Sequence, residues 1–152
     1  MNPHPQPLAN HPVIVTLPVQ WGEQDAFGHV NNTVYLRWFE TVRIVYGDKV
    51  GLAMNRDGAK IAPILAAINC NYRKQIKFPD TIHVGARITK FGRTSLIMDY
   101  AVFSDAHQAI AADGSSTLVV FDYTANRPRP IPDDLRKAVE QLEGKTFDVA
   151  TK

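Results

Sequence analysis

The sequence predicts an α+β protein in which an antiparallel sheet wraps around one long central helix. The first observation is that apolar residues alternate with other residues in four separate segments, which is typical of strands with one buried face, and that a further strand is indicated from Thr117 to Tyr123. The second is that one long segment, after the first of these strands, carries its apolar residues at the three- and four-residue spacing of an amphipathic helix. Because one helix accompanies a run of strands joined by short turns, we expect the sheet to pack around that helix.

The first strand follows a polar, proline-rich segment at the N-terminus. Its alternating apolar residues are Val13, Val15, Leu17, Val19 and Trp21. Pro18 falls on the opposite face, and because proline cannot donate to a sheet ladder it indicates an edge strand or a bulge. We expect residues 1–12 to form a disordered leader and place a single domain over 13–152, since the chain length of 152 residues fits one domain.

The central helix is predicted from Asn31 to Tyr46. Apolar residues recur within it at spacings of three, four and three, at Tyr35, Trp38, Val42 and Val45. Asparagine side chains cap helix starts and glycine is common just past helix ends. Either Asn31 or Asn32 can therefore cap this helix, and Gly47 can close it.

Four further strands and a terminal helix are predicted after the central helix. The strands are predicted over residues 61–76, 82–88, 96–102 and 117–123. Turns are indicated at Phe78–Asp80, Phe91–Arg93 and Asp113–Gly114. The proline-rich run 126–134 is expected to lack regular structure, with a short helix beginning at Pro132. The second strand is long for its class, and its free edge could pair with a second subunit.

Composition excludes several classes of protein. A net charge of +2 gives no basis for a nucleic-acid surface. Cys70 is the one cysteine, which excludes an internal disulfide and favours a reducing compartment, the cytoplasm. No apolar run approaches the roughly 20 residues of a membrane span and the N-terminus does not resemble a secretory signal, so no membrane partner is expected. His4, His11, His83 and His107 lack metal-ligand spacing, so no metal is expected.

The junction between the first strand and the central helix carries the chemistry. Asp25 lies just ahead of a tight turn that leads directly into the helix start. A helix N-terminus presents N–H groups without intrahelical acceptors and the positive end of the macrodipole, which would stabilise a carbonyl oxygen as it becomes an oxyanion. A carboxylate a few residues upstream can reach the same carbon, so the segment predicts acyl transfer.

At this segment the chain resembles the 4-hydroxybenzoyl-CoA thioesterase family of hotdog-fold proteins. The resemblance starts from D-A-F-G-H-V-N-N-x-x-Y (Asp25 to Tyr35), which R-W-F-E (Arg37 to Glu40) follows. It continues over most of the chain. The later motifs, each weak alone but in the family's order, are Y-R-K-Q-I-K-F-P-D, K-F-G-R-T-S-L (Lys90 to Leu96) and R-P-R-P-I-P (Arg127 to Pro132).

The resemblance implies a hotdog fold whose subunits join their sheets edge to edge into dimers, which often pair into tetramers. It implies an acyl-CoA thioesterase in which Asp25 is the catalytic aspartate, as general base or as nucleophile, and the backbone N–H of Asn32 is the oxyanion donor. The acyl group would lie between subunits, and CoA is part of the substrate, so no separate cofactor is expected. Many relatives have aspartate where this chain has Glu23, which bears on the surroundings of the catalytic residue.

The same motif implies a set of substrate-binding residues, and these are Gly28, His29, Val30, Asn31 and Tyr35. Some have structural alternatives, because Asn31 can be only a helix cap and Tyr35 only a core residue. His29 is interpreted as shaping the pocket rather than transferring protons. For Asp25, D-A-F-G fits a type I turn with Asp first and Gly fourth, so its side chain can organise the turn, and both roles can hold at once.

Charged residues elsewhere give two further hypotheses. Glu40 could be a helix-borne catalytic carboxylate, but Arg37 and Arg43 lie three residues to either side, and we favour ion pairing on the helix surface. Basic residues around two turns could bind the CoA phosphates or form a solvated face, namely Arg73, Lys74, Lys77, Lys90 and Arg93. Lys90 and Arg93 are preferred because their hairpin resembles the CoA-binding turn of the family.

The leading hypothesis is therefore an acyl-CoA thioesterase that releases free acid and CoA. The alternative is a non-catalytic acyl-CoA or acyl-carrier binding module on the same scaffold. A serine hydrolase is not supported, since there is no G-x-S-x-G motif. The sequence leaves open the acyl group, CoA or a carrier protein as its carrier, and dimer or tetramer, although a homotetramer is the working expectation.

Overall fold

The computed structural model describes residues 4–52 and 60–148, and in that part of the chain it contains one antiparallel sheet and two α-helices. The strands are β1 (Val13–Pro18), β2 (Ile61–Ile68), β3 (Asn71–Tyr72), β4 (Thr81–Phe91), β5 (Ser95–Ser104), β6 (Ala109–Asp122) and β7 (Arg127–Pro128). The helices are α1 (Asn32–Val50) and α2 (Asp133–Glu143).

The strands follow the order β1-β4-β5-β6-β2, and β3 and β7 each pair with β6 beside this path. β1 lies at one edge, as Pro18 indicates, and β2 lies at the other. α1 connects these two edge strands and packs against β1 and β4 on one face of the sheet. The predicted α+β class and hotdog fold, an antiparallel sheet wrapped around one long helix, are confirmed.

The core lies between α1 and the sheet. Phe39, Val42 and Tyr46 of α1 are fully buried, and the ring of Phe39 stacks on Tyr100 of β5 with the ring centroids 4.6 Å apart. Burial of one such side chain contributes about 1.5–3 kcal/mol. Arg43 is buried beside them and donates a hydrogen bond to the Tyr100 hydroxyl at 3.2 Å, so this charged side chain has a polar partner inside the core.

The start of α1 is as predicted and its end is not. The Asn31 side chain caps the helix, but α1 continues past Gly47 to Val50, and Gly51 ends it with a φ of 77°. A glycine inside a helix costs about 1 kcal/mol. Gly47 and Val50 are both buried, so packing of the last turn offsets that cost. None of the helices within residues 4–52 and 60–148 is both long and apolar enough to cross a membrane.

Three predicted features of the second half are wrong. The long second strand is interrupted, since β2 ends at Ile68 and β3 is a separate short strand, although both pair with β6. Asp113–Gly114 is not a turn but lies inside β6, and the turn between β5 and β6 falls at residues 105–108. The proline-rich run contains the short strand β7, whereas α2 begins directly after Pro132 as predicted.

The N-terminal segment is more ordered than expected. Leu8 ends a short 3-10 helix (Gln6–Leu8), is fully buried, and packs against Ala101 and Phe103 of β5. The expected disorder of residues 1–12 is therefore wrong for this segment, because its one leucine meets an apolar patch on the face of the sheet that α1 does not cover. Residues 1–3 lie outside the described residues, and the domain limits 13–152 stay a prediction.

His11 follows this helix and makes its packing sensitive to pH. Its ring lies against Gly85 of β4, where an added Cβ would come within 2.9 Å of the His11 side chain. Burial and the nearby Arg87 guanidinium lower the pKa of His11 from 6.5 to about 4. Because the unfolded chain binds this proton more tightly than the folded one, the stability that neutral His11 contributes is present above pH 6.5 and is lost as the pH falls toward 4.

We therefore expect the melting temperature of the protein to fall more steeply between pH 6.5 and pH 4 than that of a His11→Gln variant, which has no proton to gain. Thermal unfolding followed by circular dichroism at half-unit pH intervals measures the two slopes. Equal slopes would mean that His11 titrates alike in the folded and unfolded states.

Candidate active site

Asp25 begins a tight turn between β1 and α1. The N–H of Gly28 donates to the carbonyl of Asp25 at 3.0 Å, and the N–H of Asp25 donates to the carbonyl of His29 at 2.8 Å. Gly28 has a φ of 79°, a conformation that other residues rarely adopt. Oδ1 of Asp25 accepts a hydrogen bond from the N–H of Phe27 at 2.9 Å, so the side chain does organise the turn.

The same carboxylate is available for chemistry. Asp25 is exposed and lines a cavity beside the start of α1. The bond from Phe27 fixes the orientation of the carboxylate through Oδ1, while Oδ2 has no hydrogen-bond partner among residues 4–52 and 60–148. The turn-forming and chemical roles are therefore compatible.

The first turn of α1 leaves one backbone amide free. The N–H of Asn31 donates to the carbonyl of Glu23 at 3.0 Å, the N–H of Thr33 to Oδ1 of Asn31 at 2.9 Å, and the N–H of Val34 to the carbonyl of Asn31 at 3.0 Å. The N–H of Asn32 has no acceptor in the part of the chain that the structure describes. Asn31 acts as the cap, and Asn32 carries the amide that a ligand oxygen can reach.

Asp25 and Asn32 line one cavity of about 490 Å³. Its other lining residues are His29, Val30, Tyr35, Tyr72, Arg73, Lys74 and Gln75. Of the residues that the sequence assigned to the site, Asp25, His29, Val30, Asn32 and Tyr35 therefore meet at this cavity. Gly28 and Asn31 form its turn and its helix cap instead.

Two tyrosines form one wall of the cavity. Tyr35 is buried, and its ring meets Tyr72 edge to face at 5.0 Å and Trp38 at 5.1 Å. Burial raises the pKa of Tyr35 above its ordinary value, and burial together with Cys70 raises the pKa of Tyr72 to about 12. Both hydroxyls are therefore protonated at neutral pH.

Tyr72 is a site residue that the sequence reasoning missed. Its hydroxyl donates to the backbone carbonyl of Asn32 at 3.0 Å, and thus ties β3 to the first turn of α1. In the sequence, Tyr72 only continues the alternation of the predicted second strand. The family-like run Y-R-K-Q, which begins at this tyrosine and supplies four lining residues, was the available signal.

Arg73 is anchored from outside the cavity by Asp113 of β6. Its Nε and Nη2 atoms donate to the two Asp113 carboxylate oxygens at 2.9 and 3.1 Å, and Asn71 adds a third hydrogen bond to that carboxylate at 3.0 Å. The guanidinium of Arg73 holds the pKa of Asp113 below its usual range. β3 and the residue after it are therefore fixed to β6 on both sides of Tyr72.

Lys90 and Arg93 do not line this cavity. Lys90 faces Ile97 near the start of β5, whereas Tyr72 pairs with the part of β6 that faces the end of β5. Glu40 is also elsewhere: its side chain is 63% exposed and lies 3.9 Å from the Arg43 guanidinium, which agrees with the favoured ion pair.

Other reactive groups are few in the described part of the chain. No group of three or more His, Cys, Asp or Glu side chains within residues 4–52 and 60–148 could hold a metal ion. Cys70 is partly buried, and burial raises the pKa of its thiol, which disfavours the nucleophilic thiolate. The arrangement at the cavity is therefore a carboxylate, a free helix amide and neutral hydroxyls, a set suited to acyl transfer.

Comparisons with known proteins point to the same chemistry. A family model described as the thioesterase-like superfamily matches residues 19–139. The long-chain acyl-CoA thioesterase FadM of Escherichia coli (strain K12) is 24% identical over 118 residues, which cover 78% of this chain and 89% of FadM. The Bacillus subtilis (strain 168) protein YsmA is 30% identical over 82 residues, so the match spans 54% of this chain and about half of YsmA, 54%.

A solved structure agrees in fold and in sequence. The thioesterase of Thermus thermophilus, crystallised in complex with coenzyme A and Zn, superposes with a TM-score of 0.80 at 30% identity, covering 91% of this chain and 99% of that one. Since the family model spans most of the chain, the protein belongs to the thioesterase-like superfamily and is a thioester hydrolase.

Proposed function

We propose that the protein hydrolyses an acyl-CoA thioester to the free acid and CoA. The observation that carries this proposal is that Asp25, with an exposed carboxylate, and Asn32, with a free backbone N–H, line the same cavity. The kind of substrate is supported by two similar proteins, since FadM is a long-chain acyl-CoA thioesterase and the Thermus thioesterase was crystallised with coenzyme A.

Hydrolysis would proceed through a tetrahedral oxyanion. In the general-base form, Asp25 accepts a proton from water as the water oxygen bonds to the thioester carbon. The carbonyl oxygen becomes negative, and the N–H of Asn32 at the positive end of α1 stabilises it. The C=O bond then re-forms, the C–S bond breaks, and the proton passes to the CoA thiolate. In the nucleophile form, an Asp25 oxygen bonds to that carbon first, and the C–S bond breaks to give a mixed anhydride and the CoA thiolate. Water then hydrolyses the anhydride to the free acid and the Asp25 carboxylate, and a proton from that water passes to the CoA thiolate.

The proposal includes assembly of the chain into a homo-oligomer, either a dimer or a dimer of dimers. β2 is an edge strand in the described sheet, and Leu65 on it is 42% exposed, which leaves apolar surface for a second copy. Within one chain, Lys90 and Arg93 do not line the Asp25 cavity, and the proposal is that the partner subunit brings them to the phosphates of the CoA bound there. A cytoplasmic location, inferred from the single cysteine, stays part of the proposal.

The deciding experiment is a thiol-release assay over acyl-CoAs with aromatic, short and long acyl groups. Release of CoA that depends on Asp25 supports hydrolysis and also identifies the preferred acyl group. Saturable binding of acyl-CoA without thiol release would support the non-catalytic binding module instead.

A Tyr72→Phe variant tests the tie between β3 and the oxyanion amide. The ring contact with Tyr35 is kept and the hydrogen bond to Asn32 is lost. A hydrogen bond contributes roughly 0.5–1.5 kcal/mol, so we expect kcat to fall about 2- to 12-fold as the first turn of α1 becomes less well held. Steady-state thiol release measures this change.

Tyr123→Phe is the matched control, because Tyr123 is also exposed and also donates to a backbone carbonyl, that of Pro63 at 3.3 Å, away from the cavity. We expect its kcat to equal that of wild type. If both variants behaved alike, the Tyr72 hydroxyl would have no specific part in catalysis.

A further inference from the structure

A second cavity adjoins the one that contains Asp25. It has a volume of about 550 Å³ and shares Lys74 and Gln75 with the first cavity. Beyond these two residues it is lined by Lys77, Pro79, Asp80, Ala106 and His107. The two cavities therefore meet at Lys74 and Gln75, with Asp25 lining the first cavity and two residues of the turn between β5 and β6 lining the second.

The walls of this second cavity are held in place by hydrogen bonds. Nε2 of His107 donates to the carbonyl of Gln75 at 2.6 Å, which joins the two sides of the cavity. The backbone N–H of Lys74 donates to the carbonyl of Ala111 on β6 at 3.0 Å. These two hydrogen bonds fix the backbone that carries Lys74 and Gln75 against β6 and the turn that follows β5, while the side chains of both lysines stay exposed.

The second cavity has a net positive charge, because two lysines and one aspartate line it. Asp80 is its one carboxylate among the lining residues, and its two oxygens already accept hydrogen bonds from the N–H groups of Thr81 and Ala106, at 2.7 and 3.0 Å, and from the Ser104 hydroxyl at 2.5 Å. Within residues 4–52 and 60–148, neither Lys74 nor Lys77 forms an ion pair. Two ammonium groups in a concave site attract an anion more strongly than they would on an open surface.

We infer that Lys74 and Lys77 bind an anionic group of the substrate, a phosphate or a carboxylate, while its thioester carbon lies at Asp25. This inference rests on the proposed hydrolysis and adds to it a specificity site distinct from the Lys90–Arg93 hairpin. Two parts of an acyl-CoA can supply such an anion. One is the phosphate-bearing arm of CoA, and the other is a carboxylate at the far end of the acyl group.

A double variant, Lys74→Gln with Lys77→Gln, tests the inference with three substrates. These are a short monocarboxylic acyl-CoA, a dicarboxylic acyl-CoA of the same length, and the N-acetylcysteamine thioester of the same monocarboxylic acid, which has no phosphate. The loss of hydrogen bonds to a charged group is expected to lower kcat/KM at least about tenfold for the substrate whose anion is bound there. The uncharged thioester should lose less activity than the substrate whose anion is bound, because it offers no anion and only Lys74 of the two also lines the Asp25 cavity.

The pattern of losses identifies the anion. A larger loss for both CoA esters than for the N-acetylcysteamine thioester assigns the site to the CoA phosphates. A loss confined to the dicarboxylic acyl-CoA assigns it to an acyl carboxylate. No loss, or an equal loss for all three substrates, overturns the inference.

The control is a second double variant, Lys49→Gln with Lys137→Gln, which removes the same amount of positive charge outside both cavities. Lys49 is exposed on the last turn of α1, and Lys137 is exposed on α2. The control should leave all three rates unchanged, and a change equal to that of the test variant would point to overall charge and not to a site. Failure of the proposed function looks different, because wild type would then release no thiol from any substrate. In that case, titration of wild type and the double variant with the two acyl-CoAs would still test the anion site.

Discussion

Replacement of Asp25 by Asn is expected to lower kcat about 10²- to 10⁴-fold without unfolding the protein, as is usual for loss of a positioned base. The asparagine oxygen can still accept the hydrogen bond from the N–H of Phe27, so the turn into α1 should keep its geometry. What the variant lacks is the negative charge that takes a proton from water or attacks the thioester carbon. Thiol release measures the rate, and circular dichroism with thermal unfolding verifies the fold.

Glu40→Gln is the matched control for this prediction. It removes a carboxylate from α1, the helix that the turn at Asp25 leads into. The Glu40 side chain is exposed and pairs with Arg43 instead of lining the cavity. We expect its turnover to equal that of wild type. Near-normal turnover of the Asp25→Asn variant would leave Asp25 as a turn former alone, and a large loss in Glu40→Gln would move the chemistry to α1.

The predictable part of the site is the part that is contiguous in sequence. Asp25, the turn and the start of α1 follow one another, so short-range rules about turns, caps and helix termini predict their arrangement. Tyr72 contacts Asn32 across 40 positions of the chain. Such a contact depends on the pairing of β3 with β6, which no local pattern encodes.

The errors in the fold have the same physical origin. Gly47 and Asp113–Gly114 have the local chemistry of a helix end and a turn, yet they lie inside α1 and β6 because packing outweighs local preference there. The error at Leu8 is similar, since a single leucine in a polar segment gives no periodic signal, whereas its partners Ala101 and Phe103 lie far along the chain. Alternation and helical spacing identified the elements, but their exact limits depend on contacts between distant segments.

Position 114 of β6 requires glycine, although glycine is more typical of turns than of strands. A Cβ at position 114 would lie 2.1 Å from the carbonyl oxygen of Asn69 and 3.1 Å from the ring of Phe39. Asn69 has little freedom to retreat, because its backbone N–H and its side-chain amide donate to Ser115 at 2.9 and 3.0 Å. The chain between β2 and β3 therefore crosses close over β6 at a point where only glycine leaves room.

We expect Gly114→Ala to destabilise the protein by about 3 kcal/mol or more, which is the upper end of the usual cost of overpacking a core. The cost is high because the backbone of Asn69 must move to make room for the Cβ. For a chain of this size that corresponds to a fall in melting temperature of roughly 6–12 °C. Thermal unfolding and urea titration measure the loss. Gly22→Ala is the control, since a Cβ there has no neighbour within 4 Å, and it should leave stability nearly unchanged.

The same variant should reduce activity at temperatures where it is still folded. The crossing over Gly114 leads directly into β3, whose Tyr72 holds the carbonyl of Asn32, so a displaced crossing moves that hydroxyl away from α1. We therefore expect kcat of Gly114→Ala to fall at least as far as that of Tyr72→Phe, measured well below the melting temperature. A variant that lost stability but kept full turnover would show that the first turn of α1 holds its free amide in place without β3.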